Sequence, residues 1–261
     1  MSRRARIAAR LACMPWLASL LWLVAAAVSG PAHAGNDTSF LTGPELGARL
    51  LQDLVRISAS DTSEHGFGLV VGVRGADVYV ATARHVVLPP GADLTGGASS
   101  RQIQVSFCAA EVAGSGQHAA QIVDTFAGLP RDLALLKVAR PGSYQPLLRA
   151  IAPGGSVQRR QEVWSLGQAN KCGVTPRSGA ISAPTDAQGN LRAEFPGVLG
   201  GSSGGPAITG YGVVGLITTS DDLTITVLDI AAVRSLLEPL ASRPWQLLGA
   251  DNIPPGEPAA A

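Results

Sequence analysis

The chain has 261 residues, 46% of them hydrophobic and 15% charged, with a formal net charge of +1. That balance excludes a disordered chain and describes one or two packed cores. It also gives no electrostatic reason to expect a nucleic-acid partner, because phosphate binding needs a basic excess.

In chain order, "MSRRARIAAR" is a basic start, the stretch from Leu11 to Gly30 is apolar, and "AHA" at 32–34 ends it with small residues. This is the three-part pattern of a secretory signal, with cleavage expected after Ala34. The apolar stretch is interrupted by Pro15 and is short for a membrane span, so the expectation is an exported protein with no stable membrane association after cleavage. Residues 35–44 read as a flexible N-terminal segment. "ELGARLLQDLV", residues 45–55, spaces its leucines as an amphipathic helix does. Then the texture changes. "FGLVVGV", "DVYVATA", "RQIQVSFCA", "AAQIVDTF" and "LALLKVA" are short runs rich in β-branched and aromatic residues, punctuated by Gly, Pro and Asp. They predict strands of a sandwich or barrel. A Gly- and Pro-rich break follows at about 141–155. The strand pattern resumes with "EVWSLGQ", "GVTPRSGAISAP", "LRAEFPGV", "GVVGLITTS" and "LTITVLD", and "IAAVRSLLEPLA" closes the unit as a helix. The expected divisions are a signal over 1–34, a first β unit over 45–145, a second over 146–241, and a Pro- and Ala-rich tail over 242–261, expected to be poorly ordered.

An exported chain meets an oxidising compartment, and Cys108 and Cys172 remain after signal removal. They form either a disulfide, worth about 4 kcal/mol in the chain-entropy account, or two buried thiols that act as small hydrophobes. No metal-ligand spacing and no cofactor motif occurs, and nothing in the sequence sets an oligomeric state.

The stretch "GVLGGSSGGPAITG", 197–210, presents two serines between glycine pairs. A serine hydroxyl becomes a useful nucleophile only beside a base, usually His, that a third group orients. "GGSSGG" formally satisfies G-x-S-x-G, the nucleophile elbow of α/β-hydrolases. That fold places its histidine after the serine, whereas His65, His85 and His118 all precede Ser203. His65 and His118 read as structural or exposed side chains.

Three motifs stand in the order His, Asp, Ser. "VATARHVV" delivers His85 at a strand end and resembles the T-A-A-H element of trypsin-like serine proteases. "RDLALLKV" opens a strand at Asp132 and is similar to the D-L-A-L-L-K-V element of bacterial HtrA-type proteases. "GGSSGGPAI" is similar to the family's G-x-S-G-G-P, with Ser203 at the nucleophile position. "GVVGLITTS" resembles the strand that lines the substrate cleft. The resemblance covers about residues 48–240 and implies an all-β fold of two chymotrypsin-like six-stranded β-barrels, with a short N-terminal and a C-terminal helix. It implies a serine endopeptidase acting on polypeptides: His85 as base, Asp132 orienting it, the backbone N–H groups of Gly201 and Ser203 as the oxyanion hole, and Thr218, Thr219 and Ser220 as an edge for substrate. The alternative is a silent protease-like module that binds extended peptides without cutting them. An esterase working on small substrates is a third reading.

The departures are informative. Ser202 stands where zymogen-activated trypsins carry an aspartate, so no activation cleavage beyond signal removal is expected. Too few residues follow the closing helix for the PDZ domain of HtrA-type enzymes. Gly197 stands where trypsin has its acidic specificity residue, so a small or medium apolar side chain is expected at the cleavage site. Asp221 and Asp222 would reverse that preference if they reach the pocket.

Overall fold

The computed structural model describes residues 43–60, 65–88, 102–109, 116–147, 151–152, 157–168, 171–175, 177–196, 200–221 and 223–247. The first six strands are β1 (Leu54–Ala59), β2 (His65–Arg74), β3 (Asp77–Thr82), β4 (Ile103–Phe107), β5 (His118–Asp124) and β6 (Ala134–Ala139), and they close an antiparallel barrel in the order β1-β2-β3-β6-β5-β4. A second barrel is built from β7 (Glu162–Gln168), β9 (Gly179–Ala183), β10 (Asn190–Glu194), β11 (Pro206–Thr209), β12 (Gly212–Ser220) and β13 (Thr224–Asp229). Its order is β11-β12-β13-β10-β9-β7, and it closes where Ala207 and Ile208 of β11 pair with Ser165 and Trp164 of β7. Strand β8 (Lys171–Val174) pairs, among the described residues, with β7. The helices are α1 (Gly43–Leu50), the single turn α2 (Arg84–Val87) and α3 (Ile230–Leu237). The architecture is the double six-stranded barrel that the family resemblance implies.

The strand sequences explain the packing. Side chains alternate across a strand, so a strand apolar at every position is buried on both faces. In β6 and the residue before it, Leu133 and Leu135 face one way while Ala134, Leu136 and Val138 face the other. Tyr79 and Ala81 of β3 join the first set, and Val78 and Val80 join the second. The second set fills the first barrel. The first set lies between the barrels, where Phe67, Leu69, Leu133 and Leu135 meet Leu166, Ile208 and Leu216. The second barrel has its own core around Val163, Ile181, Leu191, Phe195 and Val227. Each fully buried Leu or Phe contributes roughly 1.5–3 kcal/mol relative to an exposed one.

The amino-terminal elements differ from the periodic expectation. The helix over 45–55 ends at Leu50, a 3-10 turn covers Leu51–Asp53, and Leu54 begins β1 with extended angles. Pairing decides this. Leu54 lies opposite Leu69 and Val55 opposite Phe107, so "LLQDLV" gains two ladders by leaving the helix. The helix itself starts two residues inside the segment expected to be flexible. It is also not part of the first β unit. Gly43 lies so close to Trp164 of β7 that a Cβ there would overlap the indole, and a Cβ on Gly47 would stand 2.5 Å from Val174 and 2.9 Å from Leu166.

The carboxyl end does the converse. Residues 243–247, expected to be tail, dock on the first barrel: Gln246 donates its N–H to Val71 O (2.7 Å), its side-chain oxygen accepts Val73 N–H (2.7 Å), and Leu247 is buried. Trp and Leu in an otherwise polar stretch were the available signal. Each barrel is therefore clasped by a terminal segment from beyond the other. A covalent link joins them too. Cys108, just after β4, is bonded to Cys172 in β8, at a sequence separation of 64.

Asp53 ties the connector between the barrels. Its carboxylate is 1% exposed and accepts from the Tyr144 hydroxyl (2.8 Å) and from Leu147 N–H (3.0 Å). Burial, and then the Asp53 charge and its hydrogen bond, push the Tyr144 hydroxyl far up, against a smaller opposing effect of Arg140. Tyr144 therefore stays protonated and donating. Asp53→Ala leaves that buried hydroxyl and amide without their partner, so it is expected to cost about 3 kcal/mol in urea unfolding. A loss under about 1 kcal/mol contradicts this account.

Candidate active site

His85 and Asp132 meet because of the β3–β6 register. Thr82, the last residue of β3, lies opposite Ala134, the first of β6. The residues just after one and just before the other emerge at the same barrel rim. Ala83 is extended, and α2 then turns once, anchored by buried Val86 and Val87. Leu133 is buried and holds the approach to β6. Asp132 grips His85 twice: Oδ1 accepts the backbone N–H of His85 (3.0 Å), and Oδ2 lies 2.6 Å from ring Nδ1. Both side chains keep about a quarter of their surface, 28% and 26%. With Oδ2 as acceptor, Nδ1 carries the proton and Nε2 keeps its lone pair.

Ser203 comes from the second barrel, on a loop fixed at both ends. The Gly205 N–H reaches Ser202 O (3.0 Å), the Gly204 N–H reaches Ile217 O (2.7 Å), and the Ile217 N–H reaches Gly205 O (2.9 Å). Ser202 is fully buried. Across the interface, Ser203 O accepts the N–H of Phe67 in β2 (2.8 Å). Two glycines permit this approach. A Cβ on Gly66 would stand 2.6 Å from Ser203 O. A Cβ on Gly204 (φ +78°) would stand 2.0 Å from Phe67 O and 2.3 Å from Thr82 Oγ1, two atoms already bonded to each other at 2.6 Å. The serine loop thus rests on the end of β3, three residues before His85. The glycine–serine run is a fitted seat, not a linker. Gly201 also lies in the left-handed region, at φ +87°.

Thr218, Thr219 and Ser220 form the end of β12. The ladder to β11 stops at Leu216, opposite Pro206, whereas β13 continues to pair as far as Ser220. A bulge at Thr218 separates the Ile217 and Thr219 pairs. Thr218 is buried, with its hydroxyl donating to Thr226 O (3.3 Å), and Thr219 is exposed. Gly197 and Asp222 lie outside the described residues. His65 is exposed at the start of β2, and the His118 ring stands edge-on to Phe107. Sequence reading overlooked Gly66, Phe67 and Thr82, which seat the serine loop. The glycine spacing of "HGFGLV" was the available signal, but its partners lie in the other barrel.

Two closed six-stranded barrels, with a His–Asp pair on one and a serine loop of the other seated against it, define a chymotrypsin-like double-barrel protein. The family model of the trypsin-like peptidase domain matches residues 66–216, more than half of the chain. The chain belongs to the trypsin-like peptidase family. Among solved structures, it is similar in fold to the Rv3671c protease in its inactive form, with a TM-score of 0.53 and 20% identity, covering 75% of this chain and 92% of that one. A serine-to-alanine mutant of Rv3671c from M. tuberculosis H37Rv, also in an inactive form, gives a TM-score of 0.51 and 20% identity, over 74% and 89%. Deg5 gives a TM-score of 0.54 and 19% identity, over 73% and 89%. No curated protein sequence matches the chain.

Proposed function

We propose that the protein is an exported serine endopeptidase that hydrolyses polypeptides through an acyl-enzyme. The observation that carries this reading is the double grip of Asp132 on His85, beside a serine loop seated against the same barrel end. His85 Nε2 takes the Ser203 hydroxyl proton as Oγ attacks the scissile carbonyl carbon. The Asp132 carboxylate stabilises the imidazolium so formed. The backbone N–H groups of Gly201 and Ser203 receive the oxyanion, an effect worth several kcal/mol. The intermediate collapses, the proton passes from Nε2 to the leaving amine, and the acyl group remains on Ser203. Water, deprotonated by His85, then attacks the acyl carbon, and as the bond to Oγ breaks the proton passes from Nε2 back to Ser203, releasing the acid. Substrate lies as an added strand along residues 218–220, with a small or medium apolar side chain preferred at the cleavage site. Export rests on the signal pattern of residues 1–34.

A fluorophosphonate probe tests the reading. It is expected to label Ser203 in the folded wild type and to leave Ser203→Ala unlabelled. Peptide cleavage should fall by roughly three or more orders of magnitude in that variant. The open end of β12 also favours a second reading, capture of extended peptides without cleavage. Peptide binding with no labelling and no turnover in the wild type selects it over the first.

A further inference from the structure

The groups at the proposed site are divided between barrels, with His85 and Asp132 on the first and Ser203 on the second. Their alignment therefore depends on how firmly the barrels are held together at that rim. The seat of Ser203 on Phe67 and Thr82 is one fixed point. A second lies on the other side of Asp132. Arg131, its neighbour in the chain, sends its guanidinium across the interface, where Nε donates to the backbone oxygen of Gln188 (3.2 Å). Gln188 sits in the turn between β9 and β10 of the second barrel.

That acceptor is held in place by its own turn. Asp186 Oδ1 accepts the N–H groups of both Gln188 (2.9 Å) and Asn190 (2.8 Å). The Asp186 N–H reaches Asn190 O, and the Gly189 N–H reaches Asp186 O. Gly189 O accepts the N–H of Asp229, tying the turn to the start of α3. Gly189 has φ +85°, and a Cβ there would meet the Ala232 Cβ at 2.8 Å and stand 3.9 Å from Arg131 Nη2. A long cationic side chain thus docks, at an exposed point of the interface, on a carbonyl whose turn is tied by its own hydrogen bonds, and a charge-assisted bond is stronger than a neutral one. On the Asp132 side, Asp124 caps the loop through Phe126 N–H (2.8 Å), and Leu129 N–H bonds Phe126 O (2.9 Å). Hydrogen bonds thus tie the loop at each end of the strut.

We infer that Arg131 is a positioning residue that, with the Ser203–Phe67 contact, clamps the barrels at two points and holds Ser203 in register with His85. The assignment of Arg131 to catalysis rests on the peptidase reading above. The clamp itself does not.

The test has two measurements. Exchange of the Phe67 amide, whose hydrogen is bonded to Ser203 O, reports opening at the rim without needing activity. In Arg131→Ala it is expected to speed up about tenfold, with amides inside the β3–β6 ladder unchanged. The rate of Ser203 labelling, and kcat on a peptide, should fall about three- to tenfold at unchanged KM, as a small misplacement of reacting groups predicts. Arg131→Lys keeps a cationic donor and should recover most of both. In a Gly189→Ala background, where the turn is displaced, adding Arg131→Ala should cost little more. Phe67 exchange within twofold of wild type, an equal loss in Arg131→Lys, or full additivity with Gly189→Ala overturns the clamp. Absence of labelling in the wild type overturns the peptidase reading, and the exchange measurement still decides the role of Arg131.

Discussion

Asp132→Asn is expected to lower peptide turnover by about four orders of magnitude, the scale seen when a triad histidine is held in the wrong tautomer, while the unfolding midpoint barely moves. Two acceptor oxygens meet two donors at this residue. Oδ1 takes the His85 backbone N–H and Oδ2 takes ring Nδ1–H. An asparagine has a single acceptor oxygen. With that oxygen on the backbone N–H, the side-chain NH2 faces Nδ1 and forces it to accept. The ring proton then moves to Nε2, which no longer has a lone pair for the Ser203 proton. Asp132→Asn fits the same space, so the loss is one of proton direction. Turnover within tenfold of wild type contradicts this arrangement. A proton-detected NMR signal from His85 Nδ1–H, present in the wild type and absent in the variant, checks the tautomer directly.

Gly204→Ala is the second large effect expected, and it acts through geometry. The new methyl would stand 2.0 Å from Phe67 O and 2.3 Å from Thr82 Oγ1, at a φ of +78°. The left-handed backbone costs a residue with a Cβ about 1–2 kcal/mol, and overpacking adds a comparable amount. A loss of about 3 kcal/mol in stability follows, with the serine loop lifted from its seat. A shift of about 1 Å in a reacting group slows chemistry by roughly 100-fold, so labelling of Ser203 should slow on that scale. Gly200→Ala is the control. Its Cβ meets nothing within 4 Å, and a change within about 0.5 kcal/mol is expected. Equal behaviour of the two variants in unfolding and labelling would show that the seat carries no load.

Local motifs made His85, Asp132 and Ser203 the candidates, the first two because each stands beside a strand whose sequence is distinctive on its own, and Ser203 because of the glycine pairs around it. The strand alternation of β3 and β6 was equally legible, since facing in and facing out are set by neighbours two residues apart. What escaped notice is what depends on another part of the chain. "LLQDLV" keeps a helical spacing of leucines, and only its partners Leu69 and Phe107 make it a strand. "PAIT" at 206–209 is too short to announce itself, yet it closes the second barrel against β7. Gly66 and Thr82 look like ordinary barrel residues until the other barrel is set against them. The pairing of Cys108 with Cys172, which the sequence left open, likewise depends on where β8 comes to lie.

The exchanged terminal segments bear on the order in which the chain is made. The first barrel and its His85–Asp132 pair are made before the second barrel, but the surface of β2 that Gln246 covers stays open until the residues beyond the second barrel have been added. Helix α1, among the first described residues to appear, has no β7 or β11 to rest on until the second barrel exists. A nascent chain of this design has no complete half that stands alone, and domains that fold as units normally do so one after the other. Here completion of the first barrel waits for residues that follow the second. For a chain of the trypsin-like peptidase family, that delay keeps the His85–Asp132 pair and the serine loop apart until both barrels have been made.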